Sequence, residues 1–155
     1  MQLIKNNFTS DNRGFFLKIK KKNKLYQNCF SYNKKKGTIR GIHYQKYPNY
    51  EKKIISCIKG AIFDVIVDLR KNSKTYLQYK KFRLNEKDNY SLLVPKGFGH
   101  GFQTLEKNTI IYYQISGKFI KKKQTGILWN DKKIKINWPL PVRCISNRDK
   151  KFKKL

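Results

Sequence analysis

The chain is poor in acids, histidine and cysteine. Nine Asp and Glu stand against 37 Lys and Arg, histidine occurs twice and cysteine three times in 155 residues. With two histidines and no His-x-His pair, a histidine-rich metal centre cannot be assembled. Cys29, Cys57 and Cys144 lack the spacing of a metal site, and an odd number of cysteines reads as reduced, partly buried thiols. The opening stretch MQLIKNNFTSDNRG has no apolar leader core, and no run approaches the ~20 apolar residues of a membrane span. A soluble cytoplasmic protein with no membrane partner is therefore expected. Internal repeats, linkers and low-complexity inserts are also missing. The chain reads as one domain over residues 1–155, long enough to bury about 70% of its unfolded surface.

The scarcity of acids leaves a formal charge of +28. Such a field suits a nucleic-acid partner and attracts phosphorylated ligands. The excess, however, is lysine: only six of the basic residues are arginine. The lysines are dispersed in short runs such as KIKKKNK, within a chain also rich in Asn, Ile and Tyr. That is the signature of an AT-rich genome, with solvated charge on every exposed face. No specific nucleic acid is expected as partner.

Helical periodicity is hard to find, whereas strand-like runs recur at spacings of about ten residues. They are GFFLKIK, QNCFSYN, GTIRGIHYQ, KKIISCIKGAIFDVIVDLR, YLQYKKFRLN, YSLLVPKG, GHGFQTLE, NTIIYYQIS and GILWND. Gly, Asn, Asp, Lys and Pro clusters separate them, which predicts an all-β sandwich or barrel. IISCIKGAIFDVIVDL reads as a hairpin turning at Lys59-Gly60. In its second arm Ile62, Asp64, Ile66 and Asp68 face one way and Phe63, Val65 and Val67 the other. Two carboxylates on one face require a wet cavity or a cation opposite.

Arg40, His43, Lys53, Asp64, Asp68, His100 and Tyr113 are the ionisable groups within strand patterns. A small barrel can hold one ligand among such inward side chains. Arg40 and His43 are three positions apart, so a strict pleat would place them on opposite faces. A bulge at Gly41 would bring both inward.

DNRGFF, GTIRGIHYQ, KKIISCIKGAIFDVIVDLR, LLVPKGFGHGFQTLE, YYQIS, GILWND, INWPLP and ISNRD occur in an order and at spacings that resemble the dTDP-4-dehydrorhamnose 3,5-epimerase family. The likeness runs from Asp11 to Asp149. It implies an all-β, cupin-type double-stranded jelly-roll barrel with short helical or irregular segments. It also implies a homodimer with no metal or organic cofactor, acting on a dTDP-4-keto-6-deoxyhexose nucleotide sugar in dTDP-L-rhamnose or related deoxysugar biosynthesis, a supply route for cell-surface polysaccharide. A ketone at C4 acidifies the hydrogens on C3 and C5, so epimerisation needs a base, an acid on the opposite face and a donor for the enolate oxygen. By resemblance these are His43, Tyr113 and Lys53. Asp149 would orient His43, with Asp64 as the alternative. Arg13, Gln27, Arg40, Lys53, His100, Phe119 and Arg148 would bind substrate. The N-terminal strands QLIKNNF and GFFLKIK would pair across the dimer, with Arg13 reaching the neighbour's pocket. Lys18, Cys29, Phe119 and Gln124 depart from the residues usual in the family, which leaves open whether one carbon or both is epimerised. The other readings are a 3- or 5-mono-epimerase, a ketoisomerase on the same scaffold, or a non-catalytic barrel that binds a sugar nucleotide or nucleic acid.

Overall fold

A computed structural model describes residues 7–19, 26–117 and 120–155. Its strands are β1 (Asn7–Asp11), β2 (Gly14–Ile19), β3 (Tyr26–Asn33), β4 (Thr38–Gln45), β5 (Lys53–Lys59), β6 (Ala61–Asp68), β7 (Tyr79–Asn85), β8 (Ser91–Val94), β9 (Phe98–Thr104), β10 (Thr109–Ser116), β11 (Gln124–Gly126) and β12 (Cys144–Ile145). A single 3-10 turn spans Lys121–Lys123, and the short helix α1 spans Asn147–Lys150. The first sheet runs β1-β2-β3-β10-β5-β8, and the second runs β11-β4-β9-β6-β7 with β12 beside β4. All neighbours are antiparallel except β12 and β4. The cupin-type jelly roll is thus the fold. Among the described residues no helix is long and apolar enough to cross a membrane.

The alternation read in β6 holds, and each face has its own core. Ile62 and Ile66 join Cys29, Ile55, Phe102 and Ile111 between the sheets. Val65 and Val67 pack with Ile42, Ile127 and Ile134 on the outer face of the second sheet. Residues 127–138 cover that face, with Phe63 edge-on to Trp138 at 6.0 Å between ring centres. Coverage on both sides explains why β6 is buried almost along its whole length.

The hairpin expected at Lys59-Gly60 does not form. β5 pairs with β10 and β8, while β6 pairs with β7 and β9, so the chain changes sheets there. A tight antiparallel reversal takes two turn residues. Only Gly60 lies between the strands, at φ +77°, and a Cβ on it would meet Thr109 Oγ1 at 2.7 Å. One left-handed residue turns a corner but does not fold one strand beside the other. GILWND is likewise not a strand beyond Gly126. After Ile127 the chain turns, with Asp131 accepting from the backbone N–H groups of Lys133 (2.9 Å) and Leu155 (2.7 Å). β2 pairs with β1 and β3 of the same chain, and QLIKNNF falls outside the described residues up to Lys5 and Asn6.

Candidate active site

The site begins with the bulge in β4. Ile39 and Arg40 stand opposite Gln103 and Phe102 of β9, and the register then slips so that His43 faces His100. Gly41 makes the slip possible: its φ is +121°, and a Cβ there would lie 2.6 Å from Gly101 Cα. As a result Arg40 and His43 line the same cavity despite their odd spacing. Arg40 is held by its Nε–H to Asn33 Oδ1 (2.7 Å) and by Nη2 to the Tyr32 carbonyl (3.1 Å).

Asp149 reaches His43 from α1. The Ser146 hydroxyl caps this turn, accepting from the Asp149 N–H at 3.1 Å. The Asp149 side chain is fully buried. One carboxylate oxygen lies 3.0 Å from His43 Nε2, and the other accepts from Arg13 Nη1 (2.9 Å) and Gly41 N–H (3.1 Å). Burial works against the carboxylate charge, but the bond and charge of His43, then Arg13 and the Gly41 amide, hold its pKa well below the usual range. Burial lowers the pKa of His43, and the Arg148 and Lys53 charges add to this, against the pull of Asp149. The lowered pKa favours the neutral ring. Donation of Nε2–H to Asp149 leaves the Nδ1 lone pair as its acceptor. Arg148 lies alongside, with Nη2 3.1 Å from His43 Nε2 and Nη1 donating to Gln124 Oε1 at 3.3 Å. Phe152 packs edge-on to the imidazole at 5.6 Å between ring centres.

The first sheet supplies the facing wall. Tyr113 on β10 is buried, and burial pushes its phenol pKa up, so it stays a protonated donor. Lys53 opens β5, and its Nζ lies 2.8 Å from Glu51 Oε1. His100 lines the cavity from β9, with Nε2 2.8 Å from Asp64 Oδ2. Asp149 meets His43, and Asp64 meets His100. Asp68 pairs with Arg70 at 2.8 Å, at the far end of its strand.

Together these walls enclose a cavity of about 890 Å³, within the ~300–1,000 Å³ range of small-molecule sites. Arg13, Gln27, Arg40, His43, Lys53, His100, Tyr113 and Arg148 all line it, and Asp149 stands behind His43. Phe119 lies outside the described residues. Arg13 lines the pocket of its own chain. Its guanidinium is forked on Asp11, through Nη2 at 2.6 Å and Nε at 3.0 Å, and spans to Asp149. Three contributors were missed in the sequence: Asp11, Asn33 and Glu51. Glu51 had a signal, since it stands two residues before Lys53 and so shares its face in extended chain.

These features define a class, a cupin-type jelly roll whose interior is an acid–base site flanked by cations. A family model described as dTDP-4-dehydrorhamnose 3,5-epimerase matches residues 1–155. The enzyme of that name from Shigella flexneri is 34% identical over 149 residues, covering 90% of this chain and 82% of its own. Among solved structures, the Bacillus anthracis dTDP-4-dehydrorhamnose 3,5-epimerase with TDP and pyrophosphate bound is 39% identical with a TM-score of 0.82, covering 97% of this chain and 91% of that one. The Legionella pneumophila epimerase in complex with dTDP-4-keto-L-rhamnose is 29% identical with a TM-score of 0.79, covering 96% and 84%. The chain belongs to the dTDP-4-dehydrorhamnose 3,5-epimerase family.

Proposed function

We propose that the protein epimerises a dTDP-4-keto-6-deoxyhexose at C3 and C5 through an enolate, without a metal or organic cofactor. The observation that carries this reading is the placement of a carboxylate-oriented neutral imidazole on one sheet and a protonated phenol on the other, across one cavity. His43 Nδ1 takes the proton from the carbon next to the ketone. The C–H electron pair moves into the enolate, and O4 gains the negative charge. Lys53 holds that charge, and preformed cations of this kind stabilise a developing oxyanion without reorganising. Tyr113 O–H then delivers a proton to the opposite face of the carbon. The ring recovers its neutral form by giving its proton to solvent, and the phenolate is reprotonated in turn. Arg40 and Arg148 suit the diphosphate, because guanidinium forks match phosphate oxygens, while Arg13, its fork already on Asp11 and Asp149, adds charge to the same wall. Gln27 and His100, which line the same cavity, complete the substrate contacts.

The test is incubation of the keto sugar in deuterated water, followed by NMR. Label at C3 and C5 is expected. Label at C3 alone through many turnovers identifies a mono-epimerase, a shifted carbonyl identifies a ketoisomerase, and no label at either carbon sinks the reading.

The same reading includes a homodimer. Its support is the outer face of the first sheet, where Phe30 packs at a tilt against Tyr112 with ring centres 5.0 Å apart and Phe15 against Tyr32 at 5.3 Å, with Leu93 48% exposed on edge strand β8 of the same sheet. A sedimentation mass near twice 18.6 kDa is expected. Cys29, Cys57 and Cys144 are buried and form no disulfide, which suits a cytoplasmic enzyme feeding rhamnose and cell-surface polysaccharide synthesis.

A further inference from the structure

Glu51 takes part in no step above, yet it lies inside the cavity wall. Its carboxylate and the Lys53 ammonium are 2.8 Å apart, with side chains only 9% and 8% exposed. Its second oxygen accepts from Gln45 Nε2 at 3.3 Å. Gln45 is itself buried, and its Oε1 accepts from the Ile120 N–H at 2.9 Å. Lys53 belongs to the first sheet, whereas Gln45 lies on β4 of the second, two residues beyond His43. Glu51 therefore bridges the sheets where the enolate-stabilising cation and the base must keep a set separation.

A buried carboxylate in a cavity meant for a diphosphate ester works against binding unless a cation compensates it. Glu51 is compensated, among the described residues only by Lys53, the cation assigned to the reacting oxygen. A lysine stem is flexible, so an ammonium without a tether would sample several positions. We propose that Glu51 is a positioning residue for the epimerisation: it clamps the Lys53 ammonium at the enolate oxygen and ties it through Gln45 to the strand that carries His43. The inference rests on the epimerase reading and on Lys53 acting at the enolate.

The experiment is a double-mutant cycle read by deuterium exchange over a series of substrate concentrations, which gives kcat and KM. Glu51→Gln is expected to lower kcat about tenfold, since misplacing a catalytic group by about 1 Å can cost more than this. KM should stay level or fall, because the pocket loses a negative charge while its cations remain. In the Lys53→Met background, followed over hours to capture residual exchange, the same change should cost less than about twofold, because its effect passes through Lys53. An equal loss in both backgrounds, a rise in KM alone, or no loss at all overturns the proposal. Should Glu51→Gln fail to fold by thermal melting, Glu51→Asp takes its place in the cycle, since the shorter carboxylate cannot reach Lys53 and Gln45 together. Wild-type protein that shows no exchange instead removes the epimerase reading, an outcome seen before any variant is made.

Discussion

Two imidazole–carboxylate pairs stand side by side on neighbouring strands, yet they are in different electrostatic states. His43 with Asp149 and His100 with Asp64 are nearly equal in length, at 3.0 and 2.8 Å. The difference lies behind them. The outer oxygen of Asp149 receives Arg13 and the Gly41 amide, which add to the bond from His43 in holding its pKa low. The outer oxygen of Asp64 has no partner among the described residues, and burial pushes its pKa up against the pull of His100. Exposure differs too: the His43 side chain is 19% exposed and that of His100 5%. The same two residue types thus make a pair anchored by further donors in one place and a more deeply buried pair in the other. Each imidazole favours the charge of its carboxylate, and the further donors on Asp149 are what Asp64 lacks among the described residues.

The largest effect should separate the pairs outright. His43→Ala is expected to lower deuterium exchange by about 10³-fold, in the range of a lost general base. Asp149→Asn should cost about 10²-fold, because the amide no longer enforces the Nε2–H tautomer. Asp64→Asn should cost less than about tenfold. Equal losses for the two aspartate variants would dissolve the distinction.

Next comes stability. His100→Ala strands Asp64 in the interior, which should cost about 3 kcal/mol in urea unfolding. Adding Asp64→Asn should recover part of that loss, because the stranded group is then neutral. If the double variant is no more stable than His100→Ala, the buried charge is not what the interior resists.

The smallest effect concerns pH. The base must be neutral, so exchange falls as pH drops through the His43 pKa. Burial first, then Arg148 and Lys53, lower that pKa, so the acid limb should lie below the ordinary histidine value of about 6.5. In Arg148→Ala one lowering charge is gone, and the limb should move up towards that value. A limb that stays in place would mean that burial alone sets it.

Much of this was legible along the chain because it depends on near neighbours. The alternation of Ile62, Asp64 and Ile66 with Phe63, Val65 and Val67 follows from the pleat, whose period is two whatever the strand packs against. The bulge at Gly41 could be expected from Arg40 and His43 standing at an odd spacing around a residue without a Cβ. The motifs likewise marked out His43, Lys53, Tyr113 and Asp149 before any contact was known.

Other features lay beyond the sequence because they depend on groups far apart in it. Whether IISCIKGAIFDVIVDL doubles back or changes sheets depends on which strands compete for β5 and β6, and β10 and β9 win those places. Two histidines and several aspartates leave their pairing open. The contact of His43 with Asp149 closes over 106 positions, and α1 must first dock against β4. Arg13 joins Asp149 across 136 positions, and Gln45 meets Glu51 only after the two sheets have closed on each other. By itself the sequence determined which faces are apolar and which residue types the cavity holds, since a pleated strand presents its side chains by local geometry. Only the tertiary structure decided which carboxylate meets which cation or imidazole, because buried charges are paired by proximity across the closed barrel, and that proximity is not encoded in spacing along the chain.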